Sequence, residues 1–159
     1  MAYLFDSNIF IRSKNDMPLD LWPTFWQRMT EMINVAQVFI SVKVKEEIEH
    51  GNDELVTWLR DSAPQSCFIS LDTDIMTKFQ ELQNWAFSQP FTEAARNTFA
   101  QVADSYLVAT AAAKGMTVVS YEHSDPQSKR RVLIPDACNA MGVACCDLNT
   151  VLRSLGITI

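Results

Sequence analysis

A parallel, helix-covered α/β sheet is what this sequence predicts, and three observations lead there. Five short apolar runs alternate along the chain with helical segments. Carboxylates recur just past the ends of those runs or on the inward faces of helices, and open α/β sheets place their sites at strand ends. A length of 159 residues, 48% of them hydrophobic, suits one domain, 1–159, around a single sizeable core.

The first run, Ala2-Tyr3-Leu4-Phe5, stops at Asp6-Ser7-Asn8 and reads as a short buried strand that delivers Asp6 to its C-terminal tip. Asp6-Ser7-Asn8 also suits a simple turn or helix cap. Ile9 to Arg12 reads as a single helical turn. A longer helix then runs from Leu19 or Pro23 to Asn34, with Leu21, Trp22, Phe25, Met29, Met32 and Ile33 at near-helical spacing. Trp22, Phe25 and Trp26 form either a base-stacking platform or an apolar stripe, and the stripe is the commoner use of such a pattern.

Ala36 to Ile40 is the second strand, and Ser41 caps the helix that follows. Val44 and Ile48 mark the buried face of that helix, and Glu47 is placed beside them on the inward side, whereas Glu46 and Glu49 face water. A carboxylate in such a place needs a cation or donors to meet, unless Glu47 sits at the rim and reaches water. Asp53 caps a further helix carrying Leu55, Val56, Trp58 and Leu59 inward. Cys67 to Ser70 is the third strand. Between it and the fourth lies much helix, from Asp72 to Trp85 and from Thr92 to Phe99, which predicts a helical projection over about 72–102.

The alanine-rich helix Val102 to Lys114 ends at Gly115 and feeds the fourth strand, Thr117 to Ser120. Asp104, Leu107, Val108 and Ala111 share one stripe, so Asp104 opens the buried face unless it serves only as a cap. Beyond the strand stand Glu122 and Asp125, then Lys129-Arg130-Arg131, the only basic cluster, which suits either a phosphate contact or a solvated loop. His123 has no second ligand at metal spacing. A short helix opens at Ile134-Pro135-Asp136, Val143 to Cys146 is the fifth strand, and Asp147 caps the last helix.

Composition narrows the class. No apolar run approaches the roughly 20 residues that span a bilayer, and the first residues lack a signal peptide's pattern, so a cytoplasmic protein without membrane contact is expected. Cys67, Cys138, Cys145 and Cys146 follow neither zinc-ligand spacing nor a disulfide framework, and read as free thiols. A net charge of −6 argues against nucleic-acid binding through a broad basic surface, but not against binding through metal. With only four glycines and no Gly-rich loop, a nucleotide-binding domain is disfavoured.

Asp6, Glu47, Asp104 and Glu122 are thus four carboxylates that come after strands or on the inward faces of helices. A hard cation, Mg²⁺ or Mn²⁺, is the economical reason to gather them. The set resembles the PIN domain, the nuclease fold of VapC-type toxins. The likeness rests on Leu4-Phe5-Asp6-Ser7-Asn8, Ile40-Ser41 with Glu47-Ile48, Ala103-Asp104 with Ala111 to Gly115, and Val118-Val119-Ser120-Tyr121-Glu122. More narrowly, Lys129 to Cys138 looks like the C-terminal signature of an uncharacterised bacterial PIN-like family.

The resemblance implies a three-layer fold with strand order 3-2-1-4-5 and a metal-dependent endoribonuclease. It also implies a role as toxin of a toxin-antitoxin pair, with an antitoxin partner and common homodimerisation. Asp6, Glu47, Asp104 and Glu122 would be catalytic and metal-holding. Ser7, Asn8, Lys129, Arg130 and Arg131 would contact RNA. Many relatives have Asp where Glu122 stands, so Asp125 or Asp136 could replace it as fourth ligand. The rival expectation is a catalytically silent PIN-like interaction module using Trp22 to Trp26 or the helices between Asp72 and Phe99.

Overall fold

Tyr3, Leu4 and Phe5 are all buried and form β1 (Tyr3–Phe5), the middle strand of the sheet. A strand buried on both faces needs an unbroken apolar run, which these three residues supply. It pairs in parallel with β2 (Val38–Ser41) on one side and β4 (Thr117–Val119) on the other, setting Leu4 opposite Phe39 and Val118. β3 (Phe68–Ile69) and β5 (Cys145–Cys146) complete the order β3-β2-β1-β4-β5, as the PIN resemblance implies. The computed structural model describes all residues 1–159.

Nine helices flank this sheet. α1 (Ser7–Asp16) is longer than the single turn expected, because Ile9, Phe10 and Ser13 all bury on one side of it. α2 (Pro23–Asn34) buries Phe25, Trp26, Met29, Met32 and Ile33. Trp26 packs edge-on against both Phe25 and Trp58, and Trp58 lies against Phe10, so Phe25 and Trp26 belong to the core and offer no base-stacking platform. β2 starts later than the apolar pattern does, since Ala36 takes a left-handed conformation with φ 59° and ends the turn before it.

Ser41 caps α3 (Val42–His50), accepting from the Lys43 N–H, and Asp53 caps α4 (Glu54–Ser62), accepting from the Leu55 N–H. Asp72 likewise caps α5 (Thr73–Ser88), and α6 (Glu93–Phe99) follows. α5 lies along α7 (Ala103–Lys114) and does not project from the domain, because its apolar positions Ile75, Leu82 and Ala86 are buried there. Phe79 stacks on Tyr106 with ring centroids 4.4 Å apart, and Asp72 also pairs with Lys114. α7 ends at Gly115, whose φ of 67° a side chain would strain. α8 (Ile134–Ala140) and α9 (Leu148–Ser154) follow the last two strands' approaches.

A single cluster of 31 buried apolar residues joins sheet and helices. No helix is long and apolar enough to cross a membrane. The four cysteines are free.

Leu4, fully buried in the central strand, should govern stability more than any surface position. Leu4→Ala is expected to destabilise the fold by about 3 kcal/mol, seen in urea denaturation as a lower midpoint at unchanged slope.

Candidate functional site

Because β1 and β4 are neighbours in parallel, their C-terminal ends bring Asp6 and Ser120 together although 114 residues separate them. The Asp6 N–H donates to the Val119 carbonyl at 3.0 Å, continuing the ladder one residue past β1. The chain then turns into α1 with Asp6 at the N-cap position. Its carboxylate is 2% exposed and accepts from the Ser120 hydroxyl at 3.2 Å and the Ser7 hydroxyl at 3.4 Å. Ser7 is therefore committed to orienting Asp6, while Asn8 is exposed at the mouth of the site.

Ser120 does two things at once. Its Oγ donates to Asp6 and accepts from the Glu122 N–H at 3.1 Å, tying both acids to the end of β4. Tyr121 anchors the same segment to α1 through a 2.9 Å hydroxyl contact with Ser13. The sequence marks Ser120 only as the hydroxyl that follows a strand, and its bridging role needs the fold to be seen.

Glu122 is largely sheltered: Oε2 accepts from the Ile134 N–H at 2.9 Å, at the start of α8, and Oε1 is paired with Arg131. Asp104 sits in the first turn of α7, half-sheltered, with Arg131 Nη2 4.0 Å from its Oδ2. It does not cap the helix, whose N-cap residue is Val102. Glu47 is exposed, contrary to the inward placement expected from sequence. At 3.6 residues per turn it lies about 60° from Val44 on the side away from Ile48, so it flanks the buried stripe and reaches the rim.

Electrostatics show that the acids share one site. Burial first, then the charge of Glu122, raises the Asp6 carboxyl to about 6; Glu47 adds to this and the Ser120 hydrogen bond opposes it. Burial, then Asp6, Glu122 and Glu47, raises Asp104 to about 7, and Arg131 pulls it back. Asp125 and Asp136 belong elsewhere. Asp136 accepts from the Ser124 hydroxyl at 2.5 Å and the Asp125 N–H at 3.0 Å, while Asp125 accepts from the Gln127 N–H at 3.1 Å, so both brace the loop before α8.

A cleft of about 420 Å³ opens beside Glu47 and Asp104, lined also by Asn8, Arg130, Arg131 and Val132, while Ser120 and Glu122 line a second cleft of about 390 Å³. Lys129 and Arg130 are exposed and form no ion pair. As the side chains stand, no three acidic, histidine or cysteine groups are disposed to grip one ion. The donor set still suits a hard divalent cation, since all its donors are carboxylate oxygens, two of which burial and mutual repulsion raise to about 6 and about 7.

A family model described as "Domain of unknown function (DUF4411)" matches residues 3–159. None of the functionally curated proteins matches the sequence. Among solved structures, VapBC2 from Rickettsia felis bound to a DNA fragment from their promoter is similar at 15% identity and a TM-score of 0.55, over 77% of this chain and 88% of that one. FitAcB from Neisseria gonorrhoeae is similar at 17% identity and a TM-score of 0.53, over 91% and 96%. A FitAB complex bound to an IR36 DNA fragment gives 17% and 0.54, over 91% and 94%. Likeness at this identity is a likeness of fold, and the fold is PIN-like.

The folded state holds the Asp6 and Asp104 protons more tightly than an unfolded chain, whose aspartates titrate near 3.8. The stability this confers is complete below about pH 4 and is lost as pH rises through about 6 to 7. Metal-free protein should therefore melt progressively lower between about pH 4 and about pH 7, and Asp104→Asn should flatten that slope in thermal denaturation.

Proposed function

The chain belongs to the DUF4411 family, and on that premise, with a PIN-like fold, we propose that it is a metal-dependent endoribonuclease acting as the toxin of a toxin-antitoxin pair. The observation that carries this reading is the convergence of Asp6, Asp104 and Glu122 at the ends of β1 and β4, with Glu47 at the rim. Asp6, Glu47, Asp104 and Glu122 would hold Mg²⁺ or Mn²⁺. Such an ion supplies a nucleophilic water near neutral pH and offsets charge on the phosphate.

The chain's own groups provide the rest. Ser120 and Ser7 fix the Asp6 carboxylate, so its lone pairs are aimed before an ion arrives. Arg130, free of ion pairs and lining the same cleft as Asn8, takes the phosphate backbone there, and Lys129 extends the contact along the loop. Water adds to phosphorus, the P–O bond to the leaving sugar breaks, and that oxygen takes a proton. RNA as substrate follows the PIN resemblance, and a cytoplasmic setting follows from RNA. The similar structures are of VapBC2 and FitAB complexes, which supports an antitoxin as partner; a homodimer of this chain follows from the PIN resemblance alone.

One observation favours a catalytically silent interaction module instead: Arg131 already neutralises Glu122. Calorimetric titration with Mn²⁺ separates the two, since binding that Asp104→Ala removes belongs to the nuclease alone.

Asp6→Asn should abolish cleavage of a fluorogenic single-stranded RNA while circular dichroism shows an intact fold. Ser120→Ala, which only frees Asp6 and Glu122 to move, should lower the rate about 10- to 100-fold. Undiminished cleavage by purified Asp6→Asn would overturn the proposal.

A further inference from the structure

Arg131 is the one cation inside the carboxylate cluster. Its side chain is 59% exposed, yet the groups it meets, Glu122 at 12% and Asp104 at 21%, are sheltered, so the stem lies at the surface and the guanidinium reaches inward. One nitrogen, Nη2, faces both Glu122 Oε1 and Asp104 Oδ2, acids supplied by different elements. A cation shared by those two carboxylates would have to stand there.

The loop is built to put it there. Ser128 Oγ donates to the Arg131 carbonyl at 3.1 Å, and the Thr92 N–H donates to the Lys129 carbonyl at 2.9 Å, which fastens the loop to the start of α6. On the other side Val132 and Ile134 are buried, and the Ile134 N–H holds the second oxygen of Glu122. Arg130, one residue earlier, lines the same cleft and pairs with nothing.

We propose that Arg131 is a built-in counter-ion that closes the acidic site to divalent cations, so that loading the site requires its guanidinium to leave Glu122. This rests on the metal reading of the site given above. An ion at Glu122 Oε1 would have to share that oxygen's charge with the guanidinium, and a guanidinium beside a doubly charged ion is repelled. Removing the arginine therefore removes a competitor.

The test is calorimetric titration of Mn²⁺ into metal-free wild type, Arg131→Gln, Arg131→Lys and Arg130→Gln at low ionic strength. Arg131→Gln should bind about 3- to 10-fold more tightly than wild type, the size of one displaced, partly exposed ion pair. Arg131→Lys should fall between them, because lysine keeps the charge without the planar fork. Arg130→Gln should match wild type. Metal-free Arg131→Gln should also melt below wild type, a gap that saturating Mn²⁺ closes. Equal tightening in the two Gln variants would reduce the effect to general electrostatics and overturn the counter-ion. Unchanged or weaker binding by Arg131→Gln, beside a wild type that binds, would overturn it and leave the metal site standing. No Mn²⁺ binding by any chain would remove the metal reading, and the counter-ion with it.

Discussion

Like charges held close together in a sheltered place are the constraint around which this molecule is arranged. Asp6, Asp104 and Glu122 are all shielded from bulk water, and Glu47 adds its field from the rim. An isolated buried carboxylate is already unfavourable, and several that sense one another are more so. The fold answers with hydroxyls on Asp6, a backbone N–H and a guanidinium on Glu122, and carboxyl groups at Asp6 and Asp104 raised well above the ordinary aspartate value. None of these devices is needed for packing alone.

The parallel register creates the crowding. Placing β1 between β2 and β4 sets the exits of three strands side by side, and each exit leads directly into a segment that carries a carboxylate. β1 passes into Asp6 and α1, β2 into Ser41 and the helix that bears Glu47, and β4 into Ser120 and Glu122. α7 contributes Asp104 from its first turn, and its burial against α5 and the sheet keeps that turn in place. Core packing and site geometry are thus one construction here. The apolar residues that fill the centre also fix where the acids emerge.

Local chemistry is what the sequence displayed well. Ser41, Asp53 and Asp147 each sit before an amphipathic run and each accepts a hydrogen bond from the helix it opens. Gly115 ends α7 because only the left-handed backbone suits that turn. The strand order was legible only by resemblance, since periodicity says nothing about which strands adjoin. Glu47 was misplaced because a residue flanking a buried stripe and one inside it share nearly the same spacing. Asp136 looked like a possible ligand, and its use as a loop brace depends on Ser124 and Asp125 folding back onto it. The Arg131 pairing was hidden for the same reason: it depends on how a loop closes, which no repeat in the sequence encodes.

The sheet's outer strands have a consequence for assembly. β3 and β5 contain two residues each, so the edges offer almost no unpaired backbone for another chain to extend. Strand addition, and with it fibre-like stacking, has little to begin from. A protein that docks on this one, or a second copy of it, must meet side chains on helices and loops, and recognition will be written in surface residues that can change without disturbing the sheet.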